Sequence, residues 1–142
     1  MPTVMPHAPD GIMLPKAAGG PDVAHLGARL AVYEAEAGLP DGVTRILPIA
    51  TETARAVFAL PTLPGSSPRL AGVTWGAEDL SADIGAETNR GEDGAWSAPF
   101  QLARNLTLMA AAAAEVDAID TINAHFRDLE GLARECREAR RE

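Results

Sequence analysis

The feature that most constrains the fold of this chain is a fourfold alternation of short apolar runs with longer helix-like segments. Each run is short enough for a buried strand, and turn residues such as Pro15 interrupt or bound several of them. The runs are Gly11–Leu14, Ile46–Ala50, Leu70–Trp75 and Ala118–Thr121. Regular alternation of strand and helix predicts an α/β fold with a parallel sheet and helices packed outside it.

The segments between the runs carry helix signals. Residues 19–22 open the first helix, its apolar positions recur at a spacing of three and four, and Gly38 stands where a C-terminal cap belongs. Thr51 is expected to cap a second helix that begins at Glu52. Residues 78–94 are polar and predict a long loop with one helical turn at most. The apolar face of the first helix consists of Val23, Leu26, Leu30, Tyr33 and Ala37.

Two further helices are predicted toward the end of the chain. Residues 98–114 form the first of them, with Pro99 in the first turn. Asp128 is expected to cap the second. The apolar stripe of this last helix includes Cys136, which is therefore predicted to be a core residue rather than a nucleophile.

Two architectures accommodate such an alternation, the doubly wound sheet and the (β/α)8 barrel. The glycines at 11, 19 and 20 match neither GxGxxG nor a P-loop, which favours barrel units. A TIM barrel has eight strands and about 250 residues. We therefore expect residues 1–142 to form one partial (β/α)8 barrel domain of four strand–helix units, without N-terminal and C-terminal barrel units. Its open edges predict a fragment or an obligate partner.

Composition narrows the function classes. Twelve Lys and Arg against 20 Asp and Glu give a formal net charge of −8, which argues against nucleic acid and anionic membranes as partners. One Cys excludes an internal disulfide bond. The N-terminus lacks signal-peptide features and no apolar stretch approaches the roughly 20 residues of a membrane span, so a cytoplasmic location is expected.

Candidate functional residues follow the strands, since catalytic groups of β/α barrels lie at the carboxyl ends of strands. Glu52 and Asp79 are expected at one mouth of the sheet, and paired carboxylates suit Mg²⁺. The alternative is that each acid complements the dipole of its own helix. Lys16, the only lysine, is a candidate contact for a phosphate or carboxylate; otherwise it is an exposed side chain. Arg104 is expected on a solvated helix face, and Trp75 is expected to pack at a strand end.

Several motifs together resemble the HpcH/HpaI aldolase group, which includes citrate lyase beta-subunit-like proteins and malyl-CoA and citramalyl-CoA lyases. The resemblance covers nearly the whole chain from Asp10 onward. It is specific as a combination, whereas each motif alone is weak. The matching segments are Gly11–Lys16, Ile49–Arg55, Trp75–Gly85, Ala118–Thr121 and Phe126–Leu132.

The resemblance implies a TIM barrel in which Glu52 and Asp79 hold Mg²⁺ and serve catalysis. It implies a lyase that cleaves or forms a carbon–carbon bond of a 3-hydroxyacyl-CoA thioester, giving an acyl-CoA and a small 2-oxo acid. Backbone N–H groups around Ala77, Glu78 and Asp79 would then lie near the substrate carboxylate, with Glu52 reaching the substrate through the metal. Homo-oligomers, trimers or hexamers in the full-length protein, are also implied.

The chain departs from the family pattern at three places. The family's substrate-gripping Arg has no counterpart, because no Arg precedes Arg29. The family's later Gly-Lys…Ile-His-Pro segment is also missing, so the chain resembles the middle of a family member. Glu115 stands where relatives often have Gly. Two alternative functions remain: an aldolase of free 2-oxo acids without CoA, and an inactive truncated remnant.

Overall fold

In the computed structural model, which describes Met1 and residues 3–142, four strands alternate with five helices. Short 3-10 turns occur at Met5–His7 and Leu60–Thr62. The regular elements are β1 (Gly11–Leu14), α1 (Gly20–Ala37), β2 (Arg45–Pro48), α2 (Ala54–Ala59), β3 (Gly72–Thr74), α3 (Ala77–Ile84), α4 (Ala98–Ala113), β4 (Asp117–Ile119) and α5 (Leu129–Arg141).

The strands lie side by side in chain order, and all are parallel. β1 pairs with β2 and β3 pairs with β4. Single parallel bridges from Ile46 to Leu70 and from Ile49 to Thr74 join β2 to β3. The predicted parallel α/β arrangement is confirmed, and the carboxyl ends of all four strands meet at one edge.

The core lies between the strands and the helices outside them. Ile46 of β2 and Val73 of β3 are fully buried in one cluster with Val23 and Leu30 of α1. Ala111 of α4 belongs to the same cluster. A second, smaller cluster lies beyond the end of β3, where it packs the start of α3 against α4. Its buried members are Trp75, Ala77, Leu80, Phe100 and Ala103.

The cap of α2 is not where the sequence pattern placed it. Thr53, not Thr51, is the N-cap, and its side chain accepts a hydrogen bond from the backbone N–H of Ala56 at 3.1 Å. Thr51 is fully buried, and its hydroxyl accepts from the backbone N–H of Gly76 at 3.3 Å. The expectation of a helix beginning at Glu52 is therefore wrong, and Glu52 belongs to the strand-to-helix loop.

The polar segment after β3 is more ordered than its composition predicts. Its first part forms α3, which spans eight residues and ends at Gly85 with φ of 70°. Leu80 supplies the buried anchor, and Glu78 and Asp79 favour the helix N-terminus through the dipole. The prediction of a long loop with one helical turn at most is therefore wrong for this part.

Helix α5 begins as predicted, but it does not bury its apolar stripe. Asp128 is the N-cap, and its side chain accepts from the backbone N–H of Gly131 at 2.9 Å. Leu129 is 70% exposed and Leu132 is 40% exposed. Cys136 is also exposed, so its prediction as a core residue is wrong. The spacing of apolar residues predicts which face of a helix is apolar. That face is buried only where another part of the fold packs against it.

No helix in the described part of the chain combines the length and the hydropathy that crossing a lipid bilayer requires.

A buried ion pair joins α1 to the segment that precedes β3. Both oxygens of the fully buried Glu34 accept from the Arg69 guanidinium, each at 2.7 Å. The backbone N–H groups of Thr44 and Gly42 donate to the same carboxylate at 2.8 Å each. The hydrogen bonds from Arg69 outweigh the effect of burial and lower the pKa of Glu34 to about 2. Both oxygens of the buried Glu34 carboxylate are thus hydrogen-bonded.

The end of α4 holds a residue in a conformation that favours glycine. Glu115 has φ of 57° and follows the helix as in a Schellman motif, with Val116 N–H donating to Ala111 O at 3.1 Å. We expect Glu115→Gly to stabilise the fold by about 1 kcal/mol, because only glycine adopts this conformation without steric cost. Urea denaturation measures the change.

The control for this substitution is Glu115→Ala, which removes the same charge and keeps the Cβ atom. It should gain much less stability than Glu115→Gly. Equal gains by the two variants would show that charge, not backbone conformation, limits stability at this position.

Candidate active site

Three side chains meet at the carboxyl edge of the sheet. Glu52 lies in the loop after β2 and is only 6% exposed. Asp79 lies in the first turn of α3, which follows β3. Lys16 lies two residues after β1, donates its backbone N–H to the Oε2 atom of Glu52, and places its ammonium on the Oδ1 atom of Asp79. One residue therefore contacts both carboxylates.

The local backbone at this edge permits these close approaches. Lys16 has φ of 52°, an uncommon conformation for a residue with a side chain. Gly76 precedes α3, and a Cβ atom there would lie 2.8 Å from the Cγ atom of Glu52. Glycine at this turn thus leaves room for the Glu52 side chain. Non-glycine residues with positive φ tend to occur at functional sites, where surrounding contacts hold them.

One ammonium, that of Lys16, partly offsets the charge of the two carboxylates at the site. The hydrogen bond from Lys16 and its positive charge lower the pKa of Asp79, with a smaller contribution from the Glu52 carboxyl group. The hydrogen bond to Asp79 raises the pKa of Lys16 in return. Asp79 is therefore ionised at neutral pH and offers a carboxylate to any cation that enters.

The donor set fits a hard divalent cation with open coordination positions. Among Met1 and residues 3–142, no group of three or more His, Cys, Asp or Glu side chains is arranged to enclose a metal ion. Two carboxylates without soft ligands suit Mg²⁺, which commonly takes one or two carboxylates and fills its other positions with water and substrate oxygens. In this structure the Lys16 ammonium contacts Asp79.

The other residues singled out from the sequence lie around the same edge. Ala77 is buried, and Glu78 is exposed and accepts from the side-chain amide of Asn89 at 2.9 Å. Gly76 is the N-cap of α3 and has no side chain with which to cap. The backbone N–H groups at residues 77–79 therefore lie in a first turn that leaves donors free of helical partners.

A second polar cluster lies at this edge, beyond β4, where the strand-end rule places Asp120 but does not predict its partners Trp75 and Arg104. The Asp120 carboxylate accepts from Arg104 Nη2 at 2.9 Å and from the indole Nε1 of Trp75 at 2.6 Å. Burial raises the pKa of Asp120, but the hydrogen bonds from Arg104, Trp75 and the Thr121 backbone outweigh it and lower the pKa overall. The placement of Arg104 on a solvated helix face is therefore wrong. The one sequence signal for this cluster was a polar residue, Asp120, at the end of a strand.

Parallel strand–helix units with acidic side chains at the carboxyl edge of the sheet are typical of β/α-barrel proteins. The chain belongs to the HpcH/HpaI aldolase/citrate lyase family, whose profile matches residues 2–141. It is 34% identical over 126 residues to a citrate lyase subunit beta from Leuconostoc mesenteroides subsp. cremoris, covering 89% of this chain and 40% of that protein.

Similar proteins from Mycobacterium tuberculosis include one of solved structure. A citrate lyase subunit beta-like protein is 36% identical over 88 residues, or 62% of this chain and 32% of its own length. The structure of the protein CitE with magnesium and acetoacetate superposes with a TM-score of 0.73 at 31% identity, covering 93% of this chain and 48% of that chain. The chain thus spans less than half the length of these relatives.

These likenesses confirm two predictions. The resemblance to the HpcH/HpaI and citrate lyase beta family is correct. The predicted fold class is also correct. The four consecutive parallel strand–helix units of this chain match about half of a TIM-barrel-like protein.

Proposed function

We propose that this chain provides the Mg²⁺-binding centre of a carbon–carbon lyase that acts on 3-hydroxyacyl-CoA thioesters. The observation that carries the proposal is that Lys16 joins Glu52 and Asp79 at adjacent strand ends, with its backbone N–H on Glu52 and its ammonium on Asp79. Membership of a family of aldolases and lyases supports the reaction class. The CitE protein has also been solved with magnesium, acetoacetate and coenzyme A together, which supports a CoA-linked substrate.

The proposed reaction breaks the carbon–carbon bond between the carbinol carbon and the carbon next to the thioester. A base takes the hydroxyl proton, the carbinol becomes the carbonyl of the 2-oxo acid, and the electron pair goes to the acyl-CoA enolate, which is then protonated. Mg²⁺ bound at the site would supply Lewis-acid stabilisation of the oxygen at which charge develops.

The residues of this chain would hold and orient the reactants. Glu52 and Asp79 would bind the cation, and the free backbone N–H groups at Ala77, Glu78 and Asp79 would receive the carboxylate of the 2-oxo acid. Lys16, whose side chain is 62% exposed, would contact an anionic group of the substrate through its ammonium. Homo-oligomeric assembly and a cytoplasmic location stay predictions beside this proposal.

Isothermal titration with Mg²⁺ tests the cation site. Glu52→Gln and Asp79→Asn should each weaken binding at least about tenfold, because each removes one of two charged ligands. Glu87→Gln, an exposed acid just beyond α3, is the matched control and should bind like the parent chain. Parental affinity in both site variants would refute the metal assignment.

An activity assay tests the substrate class. The chain is supplied with Mg²⁺ and with hydroxyacyl-CoA thioesters or the matching free hydroxy acids, and release of the 2-oxo acid is followed. Cleavage of thioesters alone is the expected result. Cleavage of the free acids would favour a 2-oxo acid aldolase, and Mg²⁺ binding with neither activity would favour a remnant that keeps only the cation site.

A further inference from the structure

We infer that Lys16 is a tethered counter-cation that occupies the cation position of Asp79 until Mg²⁺ displaces it. This inference rests on the proposed cation site and adds a residue that sets how tightly the site takes its ion. Lys16 would act through two separate groups, a backbone N–H that stays on Glu52 and an ammonium that leaves Asp79.

The contacts of Lys16 support this division of roles. Its backbone N–H donates to Oε2 of Glu52, so the main chain orients the buried carboxylate whether or not the ammonium is present. Its ammonium contacts Oδ1 of Asp79 through a flexible side chain of four methylene groups. Glu52 and Asp79 lie 36 and 63 residues from Lys16 along the chain, so the tertiary fold creates both contacts.

Electrostatics makes the ammonium and a metal ion competitors at Asp79. An ammonium has three donors and no lone pair, so it cannot join a metal ion as a ligand. Both cations bind the same carboxylate group, and their like charges repel at short range. In a chain of net charge −8, the ammonium offsets the repulsion between two neighbouring carboxylates when no metal is bound.

The ion pair between Lys16 and Asp79 is weak enough for a metal ion to displace the ammonium. The Lys16 side chain is 62% exposed and that of Asp79 is 48% exposed, and solvent-exposed ion pairs contribute little to stability. Mg²⁺ carries twice the charge and prefers carboxylate oxygen, so we expect it to displace the ammonium from Asp79. Its affinity should then be modestly lower than at the same site without the ammonium. Removing the ammonium should recover that loss.

Titration of Lys16→Met with Mg²⁺ tests the inference. The variant keeps the backbone N–H, the Cβ atom and the length of the stem, so we expect binding about threefold to fivefold tighter than in the parent chain. Mg²⁺ should also raise the urea midpoint of the variant more than that of the parent. A purely structural role for Lys16 predicts the opposite direction for both measurements.

Two control variants separate a local competitor from a general effect of charge. Arg55→Met removes one positive charge from the exposed first turn of α2 and should change Mg²⁺ affinity less than Lys16→Met. Lys16→Arg keeps the charge and should bind Mg²⁺ like the parent. Lys16→Gln repeats the test should the Met variant fail to give the parental circular dichroism spectrum.

The outcomes distinguish this inference from the proposed function. Weaker or unchanged Mg²⁺ binding in Lys16→Met, or equal tightening in Arg55→Met, would overturn the competition by Lys16. Binding that is insensitive to Glu52→Gln and Asp79→Asn would instead overturn the cation site itself.

Discussion

Replacing Arg69 with Met should destabilise the fold by about 3–5 kcal/mol, because the substitution leaves the buried Glu34 carboxylate without its cation. Glu34 is fully buried and Arg69 is 5% exposed. Arg69 also donates to the backbone oxygen of Thr44 at 3.2 Å and pairs with Asp41 at 2.5 Å. Met fills a similar volume, so the loss reports the unpaired charge rather than a cavity. Urea denaturation at pH 7 gives the free energy of unfolding.

Two variants serve as controls for this prediction. Arg137→Met makes the same substitution at an exposed position of α5 and should change stability by less than about 0.5 kcal/mol. Glu34→Gln combined with Arg69→Met should be more stable than Arg69→Met alone, since no buried charge remains unpaired. A loss below about 1 kcal/mol for Arg69→Met would show that water reaches Glu34 in solution.

Acidification from pH 5 to pH 2 should remove about 3 kcal/mol of stability through Glu34. Its pKa is about 2 in the fold and 4.5 in the unfolded chain. The unfolded chain therefore binds the proton first as the pH falls. The contribution of Glu34 is fully present above pH 4.5, and it declines as the pH falls from there to the folded pKa.

Comparison of variants isolates Glu34 from the other carboxylates of this acidic chain. The free energy of unfolding is measured at several pH values for the parent and for Glu34→Gln, whose dependence on pH should be shallower between pH 5 and 2. Glu36→Gln, an exposed acid on the same helix, should keep the parental slope. Parallel curves for the parent and Glu34→Gln would mean that Arg69 does not lower the pKa of Glu34.

Local signals in the sequence were sufficient for most elements. Alternating apolar runs predicted the four parallel strands, and the 3,4 spacing in residues 23–37 predicted α1, which ends at Gly38 with φ of 69°. The cap at Asp128 was also predicted from the sequence. These features depend on residues within one or two turns of each other, so periodicity and capping rules describe them.

Placement of Glu52 and Asp79 at one edge followed from the sequence, because parallel strands put their carboxyl ends together. The Lys16 contact with Asp79 did not, since no short-range pattern relates residues 63 positions apart. The same limit applies to the Arg69–Glu34 pair and to the Asp120 cluster with Trp75 and Arg104.

The sequence by itself determined the four strands and four of the five helices in their order, the family, and which acids lie at strand ends. Only the tertiary structure decided which charges face one another, which are buried, and that Thr53 rather than Thr51 caps α2. It also decided that Cys136 stays exposed. The physical reason is that local propensity depends on neighbours along the chain, whereas burial and ion pairing depend on surfaces that only the packed fold brings together.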